Sequence, residues 1–445
     1  MIHLSDHADT LTPLRERAAA AVAATAERLA DPERVAAALS ASGRPWDPNG
    51  LAGGAPGIAL LYAELARYDD AFRATAHNWL SLASRSAHTA APGTGLYDAV
   101  PALRFVLPRA AAGPQDYRSA RTHLNGETAV LAERLARRER QRIADGAGHT
   151  TLESYDLISG LAGLGAALLD DDRPGTEEVL RALVQLSEPL AGLPGWWVAQ
   201  DVRSYATVAP KLGHANLGLA HGAPGPLALL ALAWRQGVRV PGQADAIARL
   251  AEWQLGRLRT DAAGPWWPAS VELTPGQEAP GRPSWCYGSP GVARSLQLAG
   301  LALDVPDWRR TAEQALLAAL ARTSEHVGRM DPAGWPDADG RTDHHGLTDA
   351  GLCHGWGGLL QCAWRIAQDS SDSRVARRLP ALAERMLQLT DPKAPFSFVP
   401  PRIRNGWTDD AAGFLTGAAG AALALHTFAV DRAPATVWDR ALLLA

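Results

Sequence analysis

The sequence predicts an all-α chain built as an α/α toroid, a double ring of seven inner and seven outer helices with a seven-fold repeat. Three observations carry that expectation: a recurring glycine cassette, a tryptophan marker of similar period, and charged amphipathic stretches between cassettes. The cassette is a small residue, then Gly-x-x-Gly, then an apolar run rich in Ala and Leu. It reads GGAPGIALL at Gly53, SGLAGLGAALL at Ser159, HGAPGPLALL at His221, YGSPGVARSL at Tyr287, HGWGGLLQCA at His354 and TGAAGAALAL at Thr416. The second glycines, Gly163, Gly225, Gly291, Gly358 and Gly420, are separated by 62, 66, 67 and 62 residues. Gly57 precedes Gly163 by 106 residues, a gap that suits two units. A degraded copy, GLYDAVPALRFVL from Gly95, fills it and brings the number of units to seven.

Tryptophans repeat in step. Trp196, Trp266, Trp335 and Trp407 are spaced 70, 69 and 72 residues apart, each ahead of a cassette. Between cassettes, helical spacing of apolar residues marks Leu14 to Leu29, Glu178 to Leu190, Ala244 to Leu258, Trp308 to Ala321 and Val375 to Leu387. The cassette helices are apolar on nearly every face and must be enclosed; the amphipathic ones can enclose them. An open solenoid is the alternative, but solenoid repeats run to about 20–50 residues, shorter than the spacing here. With the inner helices starting at the glycines, their unpaired N–H groups are expected to favour anions and thiolates.

Composition narrows the function. The 445 residues are 47% hydrophobic and 20% charged, with a formal charge of −4, so no basic field exists to hold nucleic acid. Three cysteines are too few and too odd in number for a disulfide scaffold and point to a reducing, cytoplasmic setting. Arg15, Glu16 and Arg17 interrupt the N-terminal region where a signal peptide would be apolar. Ala411 to Val430 is twenty residues without a formal charge, yet its Ala/Gly content reads as a helix buried in protein, not a membrane span. The whole chain, 1–445, is expected to form one domain.

Two cysteines fall at the same cassette position in consecutive units, Trp285-Cys286-Tyr287-Gly288 and Leu352-Cys353-His354-Gly355. His221 stands where those units have Tyr287 and His354. Two thiolates and an imidazole brought together by the repeat describe a zinc site with an open fourth position. A cysteine in an apolar segment is usually a small core residue; that reading suits Cys362, whereas Cys286 and Cys353 share a repeat position. His344 and His345 read as solvated loop residues, His214 as a loop or supporting residue, and His426 as a satisfied core histidine. Asp156 alone would be a helix cap.

The segments Tyr155-Asp156-Leu157-Ile158-Ser159-Gly160, Leu219-Ala220-His221-Gly222-Ala223-Pro224-Gly225, Ser284-Trp285-Cys286-Tyr287-Gly288-Ser289-Pro290-Gly291 and Leu352-Cys353-His354-Gly355 resemble the signature segments of the lanthionine synthetase C-like family. The likeness is closest to the stand-alone class I lanthipeptide cyclases and extends to the Trp438-Asp439-Arg440 ending. It implies an α/α toroid around a zinc ion (Zn²⁺), with Cys286, Cys353 and His354 as ligands. It implies active-site roles for His221, Asp156, Arg282 and Tyr287. The implied reaction is Michael-type addition of a substrate cysteine to dehydroalanine or dehydrobutyrine, forming a thioether ring. The implied substrate is a dehydrated precursor peptide with its leader, and the implied partners are a lanthipeptide dehydratase and a transporter. A family relative that adds a small thiol such as glutathione is the alternative. An α/α-barrel glycosidase would need paired carboxylates where the cassettes carry Cys and His.

Overall fold

The cassette's second glycine is demanded by the loop ahead of it. In the computed structural model, a Cβ on Gly291 would lie 2.1 Å from the Trp285 carbonyl oxygen, and one on Gly163 would lie 2.0 Å from that of Leu157. In both, the carbonyl belongs to the residue six places back, so the loop folds over the start of the helix and leaves no room for a side chain. The structure describes residues 5–41, 46–86, 95–199, 213–273, 278–327, 347, 349–399 and 411–445.

The order of elements follows the repeat. Helices α1 (Ser5–Leu29) and α2 (Pro32–Ala41) lead to α3 (Ala55–Leu65), the first cassette helix, then α4 (Phe72–Ser86). The degraded cassette gives α5 (Ala99–Ala110), followed by α6 (Arg118–Ala144) and the single turn α7 (Leu152–Tyr155). Next come α8 (Leu161–Leu168), α9 (Arg173–Leu186), strand β1 (His214–Asn216), α10 (Pro224–Arg235) and α11 (Gln243–Leu255). Strands β2 (Arg259–Asp261), β3 (Gly264–Trp266) and β4 (Ser270–Glu272) precede α12 (Ser289–Ala302) and α13 (Pro306–Val327). The chain ends through α14 (Trp356–Gln368), α15 (Ser373–Ala376), α16 (Leu379–Gln388), α17 (Ala418–Val430) and a 3₁₀ turn at Trp438–Leu442. Strand content is small: β1 pairs antiparallel with β4, His214 opposite Glu272, and β2 with β3, Arg259 opposite Trp266.

Every residue of α3 and of α8 is buried, as a helix apolar on all faces requires. Gly54, Gly160, Gly288, Gly355 and Gly417, in extended conformation, precede α3, α8, α12, α14 and α17. Main-chain carbonyls of the folded-over loop accept the first helical N–H groups from seven residues ahead: Ala55 to Pro48, Ala223 to Asn216, Trp356 to Asp349 and Ala418 to Ala411. At each of these four helix starts one N–H group is therefore already satisfied by the loop and is not left for an anion or thiolate.

Contacts divide the chain into two compact units. One comprises Met1–Thr89, Phe105–Arg121 and Leu347–Trp438; the other comprises Ala90–Arg104, Thr122–Gly346 and Asp439–Ala445. Within the second, successive cassette loops are laced together: Tyr97 N–H to the Ile158 carbonyl (3.5 Å), Leu157 to Ala220 (3.0 Å) and Ala220 to Cys286 (3.3 Å). Within the first, Leu352 and Cys353 both donate to the Leu415 carbonyl (2.8 Å each), and Leu415 donates to Ala52 (2.8 Å). The last cassette is therefore hydrogen-bonded to the first.

Several predicted stretches shift. Glu178 to Leu190 is α9, Arg173–Leu186, started early because Asp172 accepts the Gly175 N–H. Val375 to Leu387 resolves into α15 and α16. Helices α4 and α6 lay in no predicted stretch. The degraded cassette is irregular as expected: Ala99 enters α5 at φ +28°, where the other units use glycine. Trp335 and Trp407 lie outside the described residues. Among the described residues, no helix is long and apolar enough to cross a membrane, and Ala411 to Val430 is a loop followed by the buried α17.

Candidate active site

In the second unit, the loops before α8, α10 and α12 bring Asp156, His221, Cys286 and Tyr287 together. Asp156 directly follows α7; it does not cap the helix N-terminus that it precedes in sequence. Its Oδ1 accepts the Ser159 N–H at 2.7 Å, a turn that aims Oδ2 away from the loop. Oδ2 meets His221 Nδ1 at 2.6 Å. The Asp156 side chain is 2% exposed and that of His221 27%, so a buried carboxylate backs an accessible imidazole. With Nδ1 facing the carboxylate, Nε2 is the nitrogen left for chemistry. The Tyr287 ring stacks on the imidazole, centroids 5.9 Å apart and planes 29° apart.

Burial opposes both charges of this pair. It raises the Asp156 carboxyl above its ordinary range, against the His221 hydrogen bond and charge, which pull it down. Burial also works to lower His221, but the Asp156 hydrogen bond and charge, with Cys286 and Glu153 adding, outweigh it and the imidazole is raised. The pair is set to hold a proton on His221 above the pH at which a free histidine releases it.

Cys286 is buried, with its Sγ 3.6 Å from the Ser284 hydroxyl. Arg282 is half-buried, six residues ahead of Gly288, and the Ser284 N–H donates to its carbonyl at 2.7 Å. In the first unit, Cys353 and His354 occupy the corresponding places before α14, both half-buried. None of the three cysteines is in a disulfide. Two thiols and an imidazole are donors that suit zinc.

Asp349 was not predicted. Its Oδ2 lies 3.7 Å from His354 Nε2, and its Oδ1 accepts the Gly351 N–H at 2.8 Å. A sequence signal existed: Asp349-Ala350-Gly351 stands five residues before His354, as Asn216-Leu217-Gly218 stands five before His221. Asn216 Oδ1 makes the matching bond to the Gly218 N–H, 2.7 Å. A buried carboxylate beside a ligating histidine is the usual orienting partner. Tyr155 also went unnoticed; its fully buried hydroxyl has no hydrogen-bond partner among the described residues.

Cys362 is buried in α14, as expected of a small core residue, whereas His214 is buried on strand β1 and not in a loop. His426 is buried in α17, but its Nε2 has no hydrogen-bond partner among the described residues, so it is a core histidine without being a satisfied one. His344 and His345 lie outside the described residues.

Comparison with known proteins agrees with the motifs. Residues 45–331 and 338–443 match the family described as "Lanthionine synthetase C-like protein". The Nisin biosynthesis protein NisC of Lactococcus lactis subsp. lactis is 24% identical over 419 residues, 88% of each chain. The solved structure of nisin cyclase superposes with a TM-score of 0.70 at 21% identity, covering 93% of this chain and 96% of that one. That likeness identifies the fold as the all-α toroid the repeat predicts. With the family matched along most of its length, the chain belongs to the lanthionine synthetase C-like family.

Proposed function

We propose that the chain is a zinc-dependent lanthipeptide cyclase. Its substrate is a dehydrated precursor peptide carrying its leader, and the whole chain acts as one catalytic domain in the cytoplasm. Cys286, Cys353 and His354 would hold the metal, and Asp349 would orient His354. The observation that carries the reading is the 2.6 Å contact between Asp156 Oδ2 and His221 Nδ1, with Ala220, next to His221, donating to the Cys286 carbonyl. It supports a proton donor in the neighbourhood of a cassette cysteine.

A free thiol has a pKa of about 8.5, and bound Zn²⁺ supplies a substrate thiolate at neutral pH. Its sulfur adds to the β-carbon of a dehydroalanine or dehydrobutyrine; the C–S bond forms as the C=C pair moves onto the amide as an enolate. His221 Nε2 then delivers a proton to the α-carbon, completing the thioether. Asp156 keeps Nδ1 protonated and offsets the imidazolium charge. Arg282 binds peptide carbonyl oxygen and stabilises the enolate as charge develops. Tyr287 fixes the imidazole plane by stacking.

The test is a cyclisation assay on a dehydrated peptide, with ring formation read by mass spectrometry and metal by elemental analysis. One zinc per chain and ring closure are expected, even with glutathione present in excess. His221→Ala should keep its zinc and lose turnover. Ring formation at an undiminished rate in that variant removes His221 from the mechanism. Glutathione adducts in place of rings would reassign the chain to small-thiol addition.

A further inference from the structure

The segment Asp439–Ala445 is deeply enclosed. Asp439, Ala441, Leu442, Leu443 and Leu444 are fully buried, and Arg440 is 4% exposed. Side chains from three separate places grip its carbonyls. The Tyr97 hydroxyl donates to Ala441 at 2.7 Å, and the Trp285 indole N–H donates to Leu442 at 2.9 Å. Arg294 donates to the Leu444 carbonyl with Nε at 3.0 Å and Nη2 at 2.8 Å. Arg440 binds Asp170, anchoring the segment from its other side.

Arg294 is 1% exposed. Burying a guanidinium to hold a main-chain oxygen is a costly way to gain stability, and its more usual return is a fixed geometry. What is fixed here is the residue next to Cys286. The Trp285 ring is fully buried, its carbonyl lies against Gly291, and its indole is tied to the segment. The Cys286 carbonyl is pinned in turn by the Ala220 N–H. Neither the backbone nor the neighbouring side chain of Cys286 is left to adjust.

We propose that Asp439–Ala445 is a positioning strap for the Cys286 thiol, acting through the Trp285 indole, and that Trp285 and Arg294 are positioning residues of the metal centre. This rests on the zinc reading above. The strap holds one ligand in place before metal arrives, so metal affinity, more than fold stability, is what it contributes.

The test compares two chemically matched variants. Trp285→Phe removes the indole donor and keeps an aromatic ring. Trp79→Phe removes the same kind of bond in the other unit, where the buried Trp79 indole donates to the Leu29 carbonyl at 3.0 Å, between residues that neighbour no cysteine in sequence. Zinc affinity is read by competition with a chromophoric chelator. Cobalt substitution gives the thiolate-to-metal absorption band, and thermal unfolding gives stability. Trp285→Phe should weaken zinc by about tenfold or more and reduce the cobalt–thiolate band, as loss of an orienting partner commonly does. Trp79→Phe should lower the melting temperature and leave both metal readings at wild-type values. Tyr97→Phe, which deletes one hydroxyl, should shift zinc affinity in the same direction by less, and it covers the case in which Trp285→Phe does not fold. Wild-type affinity in both Trp285→Phe and Tyr97→Phe overturns the strap alone, as does equal loss in Trp79→Phe. A wild-type protein that binds no zinc overturns the strap and the metal reading together.

Discussion

Asp156 decides what His221 can do. Without the carboxylate, burial would push the imidazole toward neutrality; with it, the imidazole is raised and Nδ1 is the protonated nitrogen. Asp156→Asn keeps the shape and removes the charge, so turnover in the cyclisation assay should fall by about 10²–10⁴-fold. Zinc content and the far-ultraviolet circular dichroism spectrum should stay unchanged. Turnover close to that of the wild type would show that the carboxylate only packs. Much of this arrangement was legible before any coordinates. His221, Cys286, Tyr287, Cys353 and His354 announce themselves because polar or thiol groups interrupt an apolar cassette at a fixed offset. The pairing of Asp156 with His221 was legible only through the family resemblance and not from spacing, because 65 residues separate them and the lacing of neighbouring loops brings them together. Asp349 escaped because an Asp-x-Gly turn looks like any other until it is set beside Asn216-Leu217-Gly218.

For the helices, glycine has two meanings, and substitutions separate them. A methyl at Gly291 would collide with the Trp285 carbonyl, main chain that cannot move without displacing Cys286. A methyl at Gly126, within α6, would meet nothing within 4 Å, so a side chain there only reduces the entropy of the unfolded chain. Gly291→Ala should therefore destabilise by about 1–3 kcal/mol, as overpacking does. Gly126→Ala should stabilise by roughly 0.5–1 kcal/mol, since alanine is the better helix former. Urea unfolding of the two variants measures both, and stabilisation by Gly291→Ala would mean the loop carbonyl yields freely. The sequence showed where most cassette helices begin because a loop carbonyl crowds Gly57, Gly163, Gly291 and Gly420 too closely for a side chain. It showed the connecting helices less well: α6 is crowded with arginines on its exposed surface, which blurs the apolar stripe, and α15 and α16 are parted by Arg377 and Arg378, a break no glycine announces.

Across the molecule, the repeat was readable because most units solve one problem in one way, folding the loop over the start of an apolar helix. Departures from the pattern are harder to foresee, and His426 is one that acts on the stability of the protein as a whole. It occupies an apolar position of α17, with the Tyr68 ring edge-on at 4.9 Å, and burial lowers its pKa from 6.5 to about 4. The unfolded chain takes up this proton as pH falls below about 6.5, whereas the folded chain resists until about pH 4. Protons then bind more to the unfolded state, so stability drops with falling pH across that window and is flat, for this group, above it. Each unit of difference is worth about 1.4 kcal/mol, so the full effect approaches roughly 3 kcal/mol near pH 4. Other groups titrate there too, which makes the comparison with His426→Leu the informative measurement. Urea unfolding at about pH 7.5 and about pH 4.5 should show a smaller acid loss in the variant by about 2 kcal/mol. Parallel pH dependences for the two proteins would mean that the histidine finds a partner for its proton within the folded chain, and the burial argument would fail.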